Sequence, residues 1–180
     1  MAATDNDVVH NTLKTNYYGT LAMTETFLPL IRPGGRLVNV ASSSGVLIPY
    51  SESLKKAITD ASQKSVEACT AMMEKFAADV KANNQKVEGW PSAAYAVSKA
   101  GEIAFTKAIA MEHEKSGGKV LVNACDPGWV NTDMTKGKGP LTVDEGANTP
   151  ALLALGEFGG SSGGFWKDRD ITMWCPSLGI

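Results

Sequence analysis

The chain is poor in the residues that build metal sites, disulfide frameworks and membrane anchors. It has three cysteines and two histidines in 180 residues. Cys69, Cys125 and Cys175 are odd in number, widely spaced and without metal-ligand spacing. That pattern excludes a disulfide scaffold and a zinc motif and suits a reduced, cytoplasmic protein. His10 and His113 lie far apart, so no two-histidine metal site forms and no metal is expected. There is no apolar run of membrane-spanning length, and no charged-then-apolar leader at Met1-Ala-Ala-Thr-Asp5. An excess of one charge is missing too. The formal net charge is −2, from 17 Lys and Arg against 19 Asp and Glu, which leaves no basic stripe for a nucleic acid or an anionic membrane. What remains is an ordinary globular composition, 43% hydrophobic and 20% charged, at a length that fits one domain over residues 1–180 with its own core.

Apolar spacing predicts one helix from about Asp5 to Leu30, carried by Val8, Val9, Leu13, Tyr17, Leu21 and Phe27 and ended by Pro33-Gly34-Gly35. Arg36 to Ser42 reads as a short apolar strand, with Ser43-Ser44-Gly45 opening a loop after it. Residues from about Ser51 to Asn84 are polar and helix-prone and are read as two short helices; the Met72, Met73, Phe76 and Val80 stripe is read as packing. Charges from Lys55 to Lys86 form a solvated face. A strong helix is expected from Ser92 to about Ser116, then a buried strand from Lys119 to Cys125 and a sharp turn at Asp126-Pro127-Gly128. Thr142-Val-Asp-Glu145 resembles a capping box for a last helix ending near Leu155, and Phe165 to Trp174 is a final strand or hairpin. Strands alternating with helices imply crossover units and a parallel sheet, an α/β fold.

Ligands of open parallel sheets gather outside the carboxyl ends of the strands. Those ends carry Ser42 and the segment Asp126 to Thr132. The helix after Ser92 carries Tyr95 and Lys99, four residues apart and hence on one face. An ammonium beside a phenol favours the phenolate, which suits proton exchange in keto/alcohol redox chemistry. With 4 tyrosines in 180 residues, chance supplies this spacing about 0.3 times per chain, so the pair counts only with its surroundings. On the residues alone, Ser42 also fits a strand-ending turn and Asn16 a local helix hydrogen bond. Trp129 fits core packing as readily as a pocket wall, and Cys125 reads as a small core residue.

Asn16 in Lys-Thr-Asn-Tyr-Tyr-Gly-Thr, Ser42 in Asn-Val-Ala-Ser, Tyr95-x-x-x-Lys99 and Pro127-Gly-Trp-Val-Asn-Thr132 together resemble the short-chain dehydrogenase/reductase family, over nearly the whole chain. The long interval between Ser42 and Tyr95, with Glu88-Gly-Trp-Pro-Ser-Ala-Ala-Tyr95 leading out of it, is similar to the monomeric carbonyl reductase branch, as are Glu145-Gly-Ala and Phe165-Trp166. The resemblance implies the carboxyl-terminal portion of a Rossmann-type doubly wound parallel sheet (strands 5–7), with a helical insertion over residues 50–90. It implies NADPH-dependent reduction of ketones, aldehydes or quinones. Tyr95 would protonate the carbonyl oxygen, and Lys99 would assist its ionisation and hold the nicotinamide ribose. Ser42 would orient the substrate oxygen, and Asn16 would carry a proton-return path from Lys99. Pro127, Gly128, Val130 and Thr132 would join Tyr95 and Lys99 in cofactor contact, and Trp129 and Met134 would wall the substrate pocket with Ser42. The partner would be a small carbonyl compound, and a complete version would be a monomer.

The family's opening strand, its Gly-x-x-x-Gly-x-Gly turn and the following helix do not precede Asn16. The residue that selects NAD or NADP is missing with them. The chain therefore reads as the catalytic half of an oxidoreductase, and the 180 residues alone are expected to hold NADPH weakly. The competing reading is a non-catalytic fragment or regulatory pseudo-enzyme that acts through protein contacts.

Overall fold

A computed structural model describes residues 5–180; the leader reading at Met1 to Thr4 lies outside them. The first helical run starts at Asp5, whose carboxylate accepts the Asp7 amide at 2.9 Å. It is α-helical over Asn6–Thr12 (α1), widens to a π turn over Leu13–Gly19, and returns to α over Thr20–Phe27 (α2). The single expected helix is thus continuous but bulged in the middle, at the segment that holds Asn16. Strand β1 (Arg36–Val40) ends two residues earlier than expected, because Ser42 caps a 3-10 turn over Ser43–Gly45 by accepting the Ser44 amide. Helices α3 (Glu52–Ser62) and α4 (Val66–Lys81) each begin at a serine, Ser51 and Ser65, that accepts an amide of the first turn. The short α5 (Gln85–Glu88) follows, then the 22-residue α6 (Ala94–Lys115) and β2 (Leu121–Asp126). Helix α7 (Val143–Leu155) has its capping box in place: the Glu145 amide donates to Thr142 Oγ1 at 3.2 Å and the Thr142 amide to Glu145 Oε2 at 2.7 Å. Strands β3 (Phe165–Lys167) and β4 (Asp170–Ile171) form the closing hairpin.

The sheet order is β1-β2-β3-β4, with β1, β2 and β3 parallel and β4 antiparallel to β3. Strand alternation separates its faces. Val122 and Ala124 join the main core, which includes Val97, Ala100, Ile103, Ala104 and Phe105 of α6. Cys125 points the other way, to Leu153 of α7, Trp166 and Val38. Helices therefore cover both faces, as in a doubly wound sheet. Cys125 is fully buried, in line with a core role.

Helix α6 is the centre of the molecule, and most of its residues from Ala94 to Ala110 are buried. Gly101 lets its neighbours approach: a Cβ there would lie 2.7 Å from Met73 Sδ of α4 and from the Tyr17 ring. The 50–90 segment packs α3 and α4 over α6, with Met73, Phe76 and Val80 buried and Tyr50, Phe76 and Trp90 in aromatic contact. Most of its charges stay outside, as expected, but Lys55 and Asp79 are largely buried, their side chains 12% and 14% exposed. Lys75 bridges Asp79 and Glu88 at 2.8 Å each. Among the described residues β1 pairs on one side only, and Val40 at its end is 48% exposed. No helix among the described residues is long and apolar enough to cross a membrane.

Candidate active site

Three stretches meet at the carboxyl ends of β1 and β2. The first is the Ser42–Gly45 turn. Gly45 lies against α6 so closely that an added Cβ would sit 2.6 Å from the Ala100 nitrogen and the Lys99 carbonyl carbon. Trp174 clamps the other side: its Nε1 donates to the Gly45 carbonyl at 2.9 Å, and the Leu47 amide donates to the Trp174 carbonyl at 2.9 Å. The turn is thereby pressed onto the helix that carries Tyr95 and Lys99. Gly45→Ala is expected to cost about 1–3 kcal/mol through overpacking, read as a lower urea midpoint; an unchanged midpoint would show that the turn does not need this contact.

The second stretch is the first two turns of α6. Tyr95 is 43% exposed, and Lys99 Nζ lies 5.7 Å from its ring centroid. The ammonium donates to the Val40 carbonyl at 3.1 Å, which ties the helix to the end of β1. It also donates to both carboxylate oxygens of Glu102 at 2.9 Å. Asn16 reaches the same turn indirectly: its Nδ2 donates to Ser98 Oγ at 3.0 Å, and Ser98 Oγ donates to the Tyr95 carbonyl at 2.8 Å. A π bulge places Asn16 there, and such bulges are frequent at functional sites.

The third stretch follows β2. Asp126 is buried and links the two strand ends, accepting Ser43 Oγ on one oxygen and the Gly128 amide at 3.0 Å on the other. Gly128, at φ +80°, makes the turn that a side chain would strain. Val130 pairs with Leu141 and sits against Gly146 of α7. Thr135 Oγ1 donates to the Val130 carbonyl at 2.7 Å.

The sequence-derived residues therefore divide into two groups. Ser42, Tyr95, Lys99 and, through Ser98, Asn16 are brought together, with Pro127 and Gly128 held beside them by Asp126. Val130 is partly buried in the following loop, while Trp129, Thr132 and Met134 project from it. Trp129 is 58% exposed and Met134 86% exposed. The core-packing alternative for Trp129 is thus overturned, and no closed pocket wall is formed by either side chain here. A cavity of about 500 Å³ lies elsewhere, between α1, the π turn and α4, lined by Val9, Leu13, Tyr18 and Ala77 among others. Among the described residues no cluster of three or more His, Cys, Asp or Glu side chains is arranged to hold a metal ion.

Glu102 was not singled out by the sequence, although its place three residues after Lys99, inside an alanine-rich apolar run, was a readable signal. It is 1% exposed. Burial pushes its carboxyl up to about 7 against the pull of the Lys99 ammonium. A carboxyl raised in the fold adds stability that is fully present below its ordinary value near 4.5 and is lost as pH rises through about 7. Between pH 5 and 8 the wild type should lose up to about 3 kcal/mol relative to Glu102→Gln. Urea titrations of both proteins across that range check it, and parallel curves would refute it.

The sequence profile of the family described as short chain dehydrogenase matches residues 65–140. The chain is 38% identical over 173 residues to carbonyl reductase (NADPH) 1 of Bos taurus, covering 91% of this chain and 61% of that protein. The Homo sapiens protein of the same name is also 38% identical, at the same coverage. Salutaridine reductase from Papaver somniferum superposes with a TM-score of 0.80 at 33% identity, over 89% of this chain and 55% of its own. By these matches the chain is similar to the short-chain dehydrogenases/reductases, and its sheet to part of their Rossmann-type sheet. More particularly, it is similar to the carbonyl reductases. It spans 61% of the length of the curated relatives it matches.

Proposed function

We propose that the chain carries the acid–base machinery for reducing a small ketone, aldehyde or quinone to the alcohol, with NADPH as the reductant. The observation that carries this reading is the joint placement of Tyr95 and Lys99 on one face of α6, tied by Lys99 Nζ to the end of β1 beside Ser42. In it, Tyr95 gives its phenolic proton to the substrate oxygen while Ser42 hydrogen-bonds and orients that oxygen. Lys99 supplies positive charge beside the phenol, and Asn16 and Ser98 form the polar path behind it. A positioned acid of this kind contributes about 10²–10⁴-fold. The hydride for the carbonyl carbon would come from the nicotinamide of the cofactor.

Tyr95, Lys99, Pro127, Gly128, Val130 and Thr132 are the groups that would hold that cofactor, Lys99 at the ribose and Val130 and Thr132 at the nicotinamide amide and pyrophosphate. The pyrophosphate would find no helix amino end, since the described residues contain no glycine-rich turn joining a strand to one. The preference for NADPH rests on likeness to proteins named as NADPH carbonyl reductases. We further propose a single catalytic domain with 50–90 as its helical insertion, monomeric when complete, supported by the cover that α3 and α4 give α6, and cytoplasmic, in keeping with its free cysteines.

The test is a chimera in which the amino-terminal segment of a carbonyl reductase precedes these residues. NADPH consumption with a quinone or aromatic aldehyde is expected. A folded chimera that binds NADPH and reduces neither would count against the reading. The second reading is a non-catalytic partner-binding protein, favoured by the one-sided pairing of β1; in that case the chimera would be inert.

A further inference from the structure

We propose that Glu102 is a positioning residue for Lys99: its buried carboxylate holds the ammonium against the end of β1, and its protonation sets how much of the lysine charge Tyr95 feels. The inference rests on the reading above in taking Tyr95 and Lys99 as the reactive pair.

The geometry is specific. Glu102 follows Lys99 by one turn of α6, and both of its oxygens accept from Nζ at 2.9 Å. Its side chain is 1% exposed and that of Lys99 13%. A buried carboxylate is costly unless paired and hydrogen-bonded, so it captures the nearest cation and restricts where that cation can point. Nζ is left with the Val40 carbonyl at 3.1 Å as its other acceptor. The lysine is therefore held at three oxygens, with the Tyr95 ring alongside. A free lysine at this place would sample many rotamers, whereas this one has its position fixed before any ligand arrives.

The same contact makes the pair's net charge variable. With Glu102 ionised, the ammonium next to Tyr95 is compensated; with Glu102 protonated, it is not. Lys99 is the charge that acts on this carboxyl. Among the described residues no other charge acts on it. Tyr17 of the π turn and Cys69 of α4 are kept neutral by burial, Cys69 being pushed up to about 12. Cys125 of β2 is likewise pushed up to about 12. Asp126 is occupied by Ser43 and Gly128, and Lys55 of α3 by Glu52. With burial pushing the Glu102 carboxyl up to about 7, the switch falls in the range where the reaction would run.

Carbon-13 NMR on the 180-residue chain, with labelled glutamate and lysine assigned through the backbone, tests this without any catalytic readout. The Glu102 carboxyl should titrate with a midpoint of about 7, and the Lys99 Cε resonance should move with the same midpoint. In Glu102→Gln the Lys99 inflection should vanish. A Glu102 midpoint in the ordinary carboxyl range, a Lys99 signal flat between pH 5 and 9, or an inflection that survives Glu102→Gln would each overturn the proposal. Should Glu102→Gln fail to fold, the paired midpoints in the wild type still decide. The chimera then separates the two inferences. Coupled titration without carbonyl reduction leaves Glu102 in its role and removes the reductase reading. Carbonyl reduction with no coupled titration does the reverse. With both in place, Glu102→Gln should displace the pH profile of kcat while leaving the KM for the carbonyl substrate near wild type.

Discussion

Tyr95→Phe is expected to lower carbonyl reduction by about 10²–10⁴-fold while the circular dichroism spectrum and unfolding midpoint stay at wild-type values. The two halves of this expectation have separate causes. The rate falls because the hydroxyl is the proposed proton donor, and the ring left behind can neither give nor take a proton. The fold persists because Tyr95 is 43% exposed and does not belong to the main core. The comparison is made in the chimera described above, with NADPH consumption followed at saturating cofactor. Near-wild-type turnover by Tyr95→Phe would remove Tyr95 from the chemistry, whatever the fate of the rest of the site.

The 180 residues by themselves are expected to bind NADPH more weakly than about 100 μM. Of the groups proposed to meet the cofactor, only those of the loop after Gly128 would reach its pyrophosphate, and Lys99 is already engaged by Glu102 and Val40. The pyrophosphate is the most charged part of such a ligand and is ordinarily held by backbone amides at a helix amino end. No such cradle follows a strand among the described residues. Titration calorimetry checks this directly. Low-micromolar binding would mean that the loop from Gly128 to Leu141, where Thr132 is exposed, holds the pyrophosphate without a helix amino end. The open side of β1, ending at the exposed Val40, adds a liability of its own: unpaired strand edges invite association between copies.

Much of this molecule was legible along the chain because the signals are local. The capping box at Thr142 and Glu145 needs only its own four residues, and it forms as read. The same holds for the glycine turn after β2 and for the four-residue interval that puts Tyr95 and Lys99 on one face of α6. Hydrophobic period separated helices from strands, and alternation along β2 sent Ala124 and Cys125 to opposite faces. The Met73, Phe76 and Val80 stripe went into the core, as apolar residues at helical spacing do.

What the chain could not declare is every property that depends on residues distant in sequence. The π bulge at Asn16 is decided by how the first helical run lies on α6, where Ser98, 82 positions away, receives its amide. Ser42 ends its strand early because Gly45 and Trp174, separated by 129 positions, lock the turn against α6. Trp129 is exposed because its loop is pinned by Val130 to Leu141 and by Gly146, and nothing in its own neighbourhood of sequence fixes that direction. Glu102 is the sharpest case. By sequence it is a charge in an alanine-rich run, and only the tertiary structure, by burying it beside Lys99 at the end of β1, pushes its carboxyl up to about 7. Desolvation is a property of the whole surroundings, and no spacing along a chain encodes it.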